Sequence, residues 1–364
     1  LAILALATLP VVLVAASRAP SFALPDLVAE ALKVPYMTSI AYVARSISLV
    51  MSLGIVLFLA RIAEEIRAHE LRLEPPPPKE GWSDERVRRA GWCAAAFAGL
   101  NASLTYYAHT TNLDVPYLFW GCWALLVFTR AITRREPQLL RRALVLAVLA
   151  VGTKDQAYGL FLLSLPIAFA IWLLTDDWAR RNRRRVSKEA AIAVGIGVVL
   201  FGFVDAAILN PTGFAARVRF LTGSASQDFV EYTHDWSGRI GILVDAARLF
   251  HLQYPRLLGP LIALGLVHAI VRARRCPSEH RGAQTAVALL PLLAAASFTV
   301  TFNWSSLRTD ARFLLPQALV LAIYGGLAAD VLVFATSGAV RVIGRATCGI
   351  GLALGLFACI SVDV

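Results

Sequence analysis

The run AYGLFLLSLPIAFAIWLL, Ala157 to Leu174, holds 18 residues without one Asp, Glu, Lys or Arg, and the chain then turns at once to TDDWARRNRRRVSK, Thr175 to Lys188. A stretch of roughly 18 to 20 apolar residues spans the hydrocarbon core of a bilayer as one helix. Backbone N–H and C=O groups in lipid must be satisfied internally, which leaves helices or a closed barrel. Barrel strands would alternate in polarity, and this run does not. The basic tail behind it, Arg180-Arg181-Asn182-Arg183-Arg184-Arg185 after the amphipathic Trp178, suits a headgroup anchor on the cytoplasmic side.

The same alternation extends in both directions. Apolar runs cover Tyr42 to Ala60, Ala94 to Tyr107, Val115 to Ile132, Ala143 to Val151, Ala190 to Leu209, Leu257 to Val271, Ala286 to Val300, Phe313 to Ala335 and Val342 to Ile360. With 58% hydrophobic residues and a mean hydropathy of +0.64, the chain is not built around one soluble core. The expected fold is all-α: a single polytopic transmembrane bundle over residues 1–364, of about ten spans. Basic clusters fall at Arg61 to Arg89, Arg130 to Arg142, Arg180 to Lys188, Arg272 to Arg281 and Arg341 to Arg345. The positive-inside rule puts them in the cytoplasm, with 62–90 as the largest cytoplasmic loop. Parity places Thr110 to Asp114, Thr153 to Gln156, the long segment 210–254 and Asn303 to Arg312 outside.

The N-terminal stretch Leu1 to Ala16 fits a marginal span or an apolar helix lying in the external interface, within an external segment 1–37. No Met opens it, no basic region precedes it and no small-residue cleavage site is clear, so the chain reads as N-terminally truncated and not as a signal peptide. The net charge of +11 is distributed over the loops of the bundle, which points to orientation and anionic lipid, not to nucleic acid. Pro75 to Pro78 is expected to form a stiff polyproline spacer. Cys93, Cys122, Cys276, Cys348 and Cys359 lack CxxC spacing and read as free thiols. Asn101-Ala-Ser103, within a helix, and Asn303-Trp-Ser305, outside, match the glycosylation pattern. No P-loop or glycine-rich nucleotide fingerprint occurs, which argues against ATP-driven transport by this chain alone.

Charge near a membrane interior is costly, so its placement carries the functional signal. Three external turns gather it. The first is His109-Thr-Thr-Asn112-Leu-Asp114-Val-Pro116, where Asn112 or Asp114 suits the cap of the helix that Pro116 enters. The second, Gly152-Thr153-Lys154-Asp155-Gln156, forms a tight hairpin. Its Lys154 either neutralises Asp155 or binds an anionic headgroup such as a lipid phosphate. The third, Asn303 to Arg312, carries Arg308 and Arg312 beside Asp310 and Trp304. Two arginines there fit a forked phosphate clamp with a carboxylate holding one guanidinium. The segment 210–254 adds Arg217, Arg219, Gly223, Asp228, Glu231, Tyr232, His234, Asp235, Trp236 and Arg239, a composition suited either to covering a site for a hydroxylated ligand or to an amphipathic surface loop. Asp205, near the external end of its helix, is an isolated acid. No His, Cys or carboxylate spacing supports a metal site.

Thr111-Asn112-Leu-Asp114-Val-Pro116, Thr153-Lys154-Asp155, Asn210-Pro-Thr-Gly-Phe214 with Phe220-Leu-Thr-Gly223, and Arg312-Phe-Leu-Leu-Pro316, in this order, resemble the membrane glycosyltransferases of the C-type fold. That superfamily includes dolichyl-phosphate-mannose protein mannosyltransferases and bacterial aminoarabinose transferases, and the likeness runs along most of the chain. It implies transfer of a sugar from a polyprenyl or dolichyl phosphate, with inversion, to a protein, lipid or glycan acceptor on the extracytoplasmic face of the inner membrane, or of the ER in a eukaryote. It further implies a catalytic acid in a first external loop upstream of Leu1, so no catalytic residue is assigned within the chain and a divalent metal would be held by residues outside it. By the same resemblance Lys154, Arg308 and Arg312 bind the donor phosphate; His109, Asn112, Asp114 and Asp155 line the cavity; Tyr232, His234 and Asp235 face the acceptor. Expected partners are the lipid-linked donor and membrane lipids. A secondary transporter for a small polar or anionic solute is the competing expectation, since it would share the basic-inside bundle, and a non-enzymatic scaffold is a third.

Overall fold

The computed structural model describes residues 2–72, 82–222, 230–335 and 338–361, and among them no strand occurs. Pro75 to Pro78, Gly223 and Asp228 lie outside the described residues. The helices in chain order are α1 (Ala2–Arg18), α2 (Leu24–Ala31), α3 (Val34–Arg72), α4 (Trp82–Gly99), α5 (Ala102–Ala108), α6 (Asp114–Thr133), α7 (Leu139–Thr153), α8 (Tyr158–Phe161), α9 (Ser164–Thr175), α10 (Asp177–Arg181), α11 (Arg183–Val204), α12 (Pro211–Thr222), α13 (Trp236–Leu249), α14 (Gly259–Arg275), α15 (Ser278–Phe298), α16 (Trp304–Ser306), α17 (Ala311–Val333) and α18 (Gly338–Ser361). Among the described residues, eight helical segments are long and apolar enough to cross a membrane: Val34–Arg72, Asp114–Thr133, Asp155–Thr175, Arg183–Val204, Arg256–Arg275, Ser278–Ser306, Ala311–Val333 and Gly338–Ser361. The chain is an all-helical protein of membrane type.

The apolar runs Ala94 to Tyr107 and Ala143 to Val151 fall outside these eight. The first is broken: α4 ends at Gly99, and Asn101 caps α5 by accepting the Leu104 N–H at 2.7 Å. Asn101 is fully buried and its amide donates to Gln253 Oε1 at 3.2 Å, so it sits between two helices and not inside one. The second lies on α7, whose 15 residues extend only about 22 Å.

Burial orders the bundle. In α17 and α6, 78% and 72% of the most apolar window is buried, against 22% in α11 and α18. The first two are therefore the centre, and the last two present Val198, Val199, Ile343, Phe357 and Ile360 outward, as a lipid-facing helix does. Around the centre, α6 packs on α3 and α7, while α17 packs on α4, α14 and α15. Close approach depends on small residues, since lipid supplies no hydrophobic drive between helices. A Cβ on Gly265 would lie 1.8 Å from the Tyr324 carbonyl oxygen, and one on Gly326 would lie 2.4 Å from the Ala94 Cα. Any larger residue at either position separates α14 or α4 from α17.

The run Ala157 to Leu174 is not one straight helix: α8 gives way to α9 at Leu162 and Leu163. Pro166 has no N–H for the Leu162 carbonyl, and its ring crowds that oxygen. Ser297 of α15 bridges the break, its hydroxyl donating to the Gly159 carbonyl (2.6 Å) and accepting the Leu163 N–H (3.1 Å).

The described parts of the expected loops 62–90 and 210–254 are largely helical. Helix α3 runs on to Arg72, because neither Gly nor Pro interrupts it after Gly54, and its 39 residues extend about 58 Å. Its final turns are tied to α6 by Glu65, which accepts from Arg130 at 2.9 Å, from Thr133 at 3.3 Å and from Arg134. Segment 210–254 contains α12 and α13. The five cysteines are free, with Cys122 and Cys276 buried.

Candidate functional site

Helices α6 and α17 begin at the same end of the bundle, and α7 finishes there. Asp114 opens α6; the Asn112 side chain accepts the Asp114 N–H at 3.3 Å, and Pro116 falls in the first turn. Negative charge in this turn is favoured by the helix dipole. Helix α17 starts at Ala311 because Asp310 caps it, accepting the Phe313 N–H at 3.0 Å. Helix α7 stops at Thr153, Lys154 turns to an extended conformation, and the single turn Asp155–Ala157 restarts the chain.

These three starts bring four predicted residues together. Asp114 is buried, its side chain 1% exposed, and both carboxylate oxygens are used. Oδ1 accepts from the Lys154 ammonium and from Gln156 Nε2 at 3.1 Å, while Oδ2 accepts from Arg312 Nε at 2.6 Å. A second Arg312 nitrogen donates to Asn112 Oδ1 at 3.1 Å. The cations are less enclosed than the acid they share, with Lys154 19% and Arg312 38% exposed. Burial holds the Lys154 ammonium below its ordinary pKa while Asp114 pulls the other way. The Tyr117 ring lies 5.6 Å from that ammonium. Asp114 is thus a shared counter-ion whose two oxygens are already committed, and Lys154 and Arg312 are held together against their repulsion.

Two expected pairings are corrected. Lys154 does not neutralise Asp155, because the extended Lys154 backbone sends the two side chains to different partners: Asp155 pairs with Arg217, which also donates to the buried Asp205 at 3.0 Å. Burial raises the Asp205 pKa against the opposing pull of Arg217. Nor does Asp310 hold a guanidinium. Its side chain is engaged in capping α17, and Asp114, distant in sequence, takes that place.

The other candidates stand apart from the Asp114 cluster. Arg308 faces Glu231 at 3.8 Å and lies 5.2 Å from the centre of the Phe313 ring. The Glu231 N–H donates to the carbonyl of Leu307 (3.0 Å), a buried left-handed residue with φ 47°, so the long segment docks on this turn at Glu231. His109 ends α5 with its ring Nδ1 2.8 Å from the Thr105 carbonyl, one turn back. Tyr232 donates to Asp245 at 2.9 Å. Asp235 accepts from Thr233 Oγ1 (2.6 Å) and the Gly238 N–H (2.8 Å), which caps α13; these bonds lower its pKa. His234 is exposed. Near it, Arg239 lies 5.9 Å from the ring centre of Trp236 and 6.0 Å from that of Trp304.

Gln156, Tyr117 and Arg217 join these networks although the sequence did not single them out as site residues. Gln156 carried one signal, its place in the turn beside Lys154. Arg217 carried only its place in the long external segment, and nothing pointed to its partner Asp155, 62 residues away. Among the described residues no group of three or more His, Cys, Asp and Glu is arranged to hold a metal. No family model, curated protein or solved structure matches this chain.

Proposed function

We propose that this protein is a membrane transferase that takes a sugar from a polyprenyl-phosphate donor, with Lys154 and Arg312 gripping the donor phosphate. The observation that carries the reading is the convergence of two cations from separate turns on the single buried carboxylate of Asp114. In this reading α4 with α5 and α7 complete a ten-span topology, α1 lies in the interface, and the basic clusters at the other end of the bundle face the cytoplasm.

Breaking a bond from an anomeric carbon to a phosphate oxygen leaves negative charge on the phosphate. Cations fixed in advance stabilise that charge without reorganising during the reaction. Lys154 contributes a compact point charge and Arg312 a planar fork. Each has N–H groups beyond those spent on Asp114 and Asn112, and both are more open to solvent than the acid between them. Arg217, tied to Asp155 and Asp205, pins α12 across the neighbouring turn, where it borders the site on the acceptor side. No residue of this chain is assigned as the base that activates the acceptor hydroxyl.

The test uses full-length protein reconstituted with radiolabelled polyprenyl-phosphate sugars and cell-envelope acceptors, with release of free polyprenyl phosphate as readout. Lys154→Gln and Arg312→Gln are each expected to lower turnover about a hundredfold, the scale seen when one charge-stabilising donor is lost. Undiminished turnover in both folded variants removes the phosphate grip. No turnover by the wild type with any donor shifts the reading to solute transport.

A further inference from the structure

The pairing of Asp155 with Arg217 bears on the ammonium beside it. The chain leaves α11 at Val204 and reverses at Ala206, whose backbone is left-handed with φ 57°. It enters α12 after Asn210, which caps that helix by accepting the Gly213 N–H at 3.0 Å. Phe214 and Arg217, three residues apart, share one face of α12. Phe214 meets Phe201 of α11 edge to face, with ring centres 6.3 Å apart, and so turns Arg217 toward the bundle. There the guanidinium forks: one terminal nitrogen donates to Asp205 at 3.0 Å and the other to Asp155.

The two ties have different weights. Arg217 is 42% exposed and Asp155 40%, and an open pair of this kind holds weakly by itself. Asp205 is only 4% exposed, so its pull on the guanidinium is less screened by solvent. The buried acid fixes Arg217, and Arg217 in turn occupies Asp155.

Asp155 directly follows Lys154, and adjacent Cα atoms are about 3.8 Å apart. The extended backbone at Lys154 starts the two side chains in different directions. Direction alone does not keep them apart, because the ammonium rides on a flexible four-carbon stem and can turn to a carboxylate left without a partner. A second carboxylate on Lys154 would take up N–H groups not spent on Asp114 and would repel an anion arriving there. As the chain is folded, the charged groups that act most on the ammonium are Asp114, Arg312 and Asp310, not its neighbour Asp155.

We propose that Arg217 is a positioning residue for the phosphate grip: by holding Asp155 it keeps that carboxylate off Lys154 and leaves the ammonium to the donor phosphate. This rests on the reading of Lys154 and Arg312 as the grip, and it adds that a pairing in the neighbouring turn sets how well the grip works. It differs from a purely structural role in one respect. If Arg217 only pinned α12, removing the Asp155 charge after the loss of Arg217 would restore nothing.

The test is a double-mutant cycle on the whole chain in nanodiscs, titrated with polyprenyl phosphate and read by native mass spectrometry. Arg217→Gln is expected to weaken retention about fivefold, the scale of one uncompensated charge close to a partly exposed site. Adding Asp155→Asn is expected to recover most of that loss, and to raise retention more in the Arg217→Gln background than in the wild type. Equal effects of Asp155→Asn in both backgrounds overturn the proposal, as does wild-type retention by Arg217→Gln. Lys154→Gln in the same series separates the two ideas. Wild-type retention in that variant removes the grip and this inference with it, whereas reduced retention there beside an unaffected Arg217→Gln removes the inference alone. If Arg217→Gln does not fold, Arg217→Met, which keeps an apolar stem, carries the same expectations.

Discussion

Asp114 and Asp330 are buried carboxylates at opposite ends of the central helices, each beside two basic side chains, and they are treated differently. Asp114 stands in the first turn of α6, where the helix dipole favours a negative charge, and its oxygens accept from Lys154, Gln156 and Arg312 within 3.1 Å. Asp330 stands close to the end of α17, where the dipole opposes it, and its arginines stay 3.7 and 3.8 Å away. One end is a closed ion network that fixes two cations in place. At the other, Asp330 meets Arg67 and Arg89 only at longer range, and each of those arginines also meets a glutamate, Glu70 and Glu85. Burial of an acid between bases therefore does not identify a role; the bonding of its oxygens does.

The largest expected effect comes from removing the closed network's centre. Asp114→Ala leaves Lys154 and Arg312 facing each other without a counter-ion, and a loss of about 3–5 kcal/mol is expected, the scale for breaking a buried pair. Unfolding in detergent measures it. A loss under about 1 kcal/mol would mean that the network is not as tight as the distances indicate. Asp330→Asn is expected to cost less, about 1–2 kcal/mol, because Oδ1 accepts no hydrogen bond and its ion pairs with Arg67 and Arg89 are long, at 3.8 and 3.7 Å. Equal losses for the two substitutions would erase the contrast between the ends. The smallest effect belongs to Asp310→Ala. Its side chain caps α17 without touching Arg312, so about 1 kcal/mol is expected, with little change in donor binding. A large loss of donor binding in that variant would return Asp310 to the clamp.

Much of the architecture was legible in the chain. Uninterrupted apolar runs with basic flanks identify a helical membrane protein, because lipid leaves the backbone few alternatives. The runs also located the turns that carry Lys154, Asp114 and Arg312. What periodicity could not supply was the break at Leu162 and Leu163, where Pro166 and Ser297 act together across two helices, or the break at Asn101, which depends on Gln253. Side-chain partners were harder still. Adjacent residues such as Lys154 and Asp155 suggest a local pair, yet helix packing sends one to Asp114 and the other to Arg217. Capping explains a further mismatch: Asp310 reads as the carboxylate that holds a guanidinium, while it satisfies the start of its own helix. The ion pairs of Asp330 with Arg67 and Arg89 were visible only as charges far apart in sequence, since they draw on three helices.

Binding of polyprenyl phosphate, followed by native mass spectrometry of protein released from nanodiscs, tests most directly whether the Asp114 cluster is a phosphate grip. The wild type is expected to retain polyprenyl phosphate, and Lys154→Gln and Arg312→Gln to retain it about tenfold less or weaker, since each loses a charged hydrogen bond to the phosphate. Equal retention by both variants, with their fold intact, would contradict the account and leave the cluster as an ion network that serves packing alone.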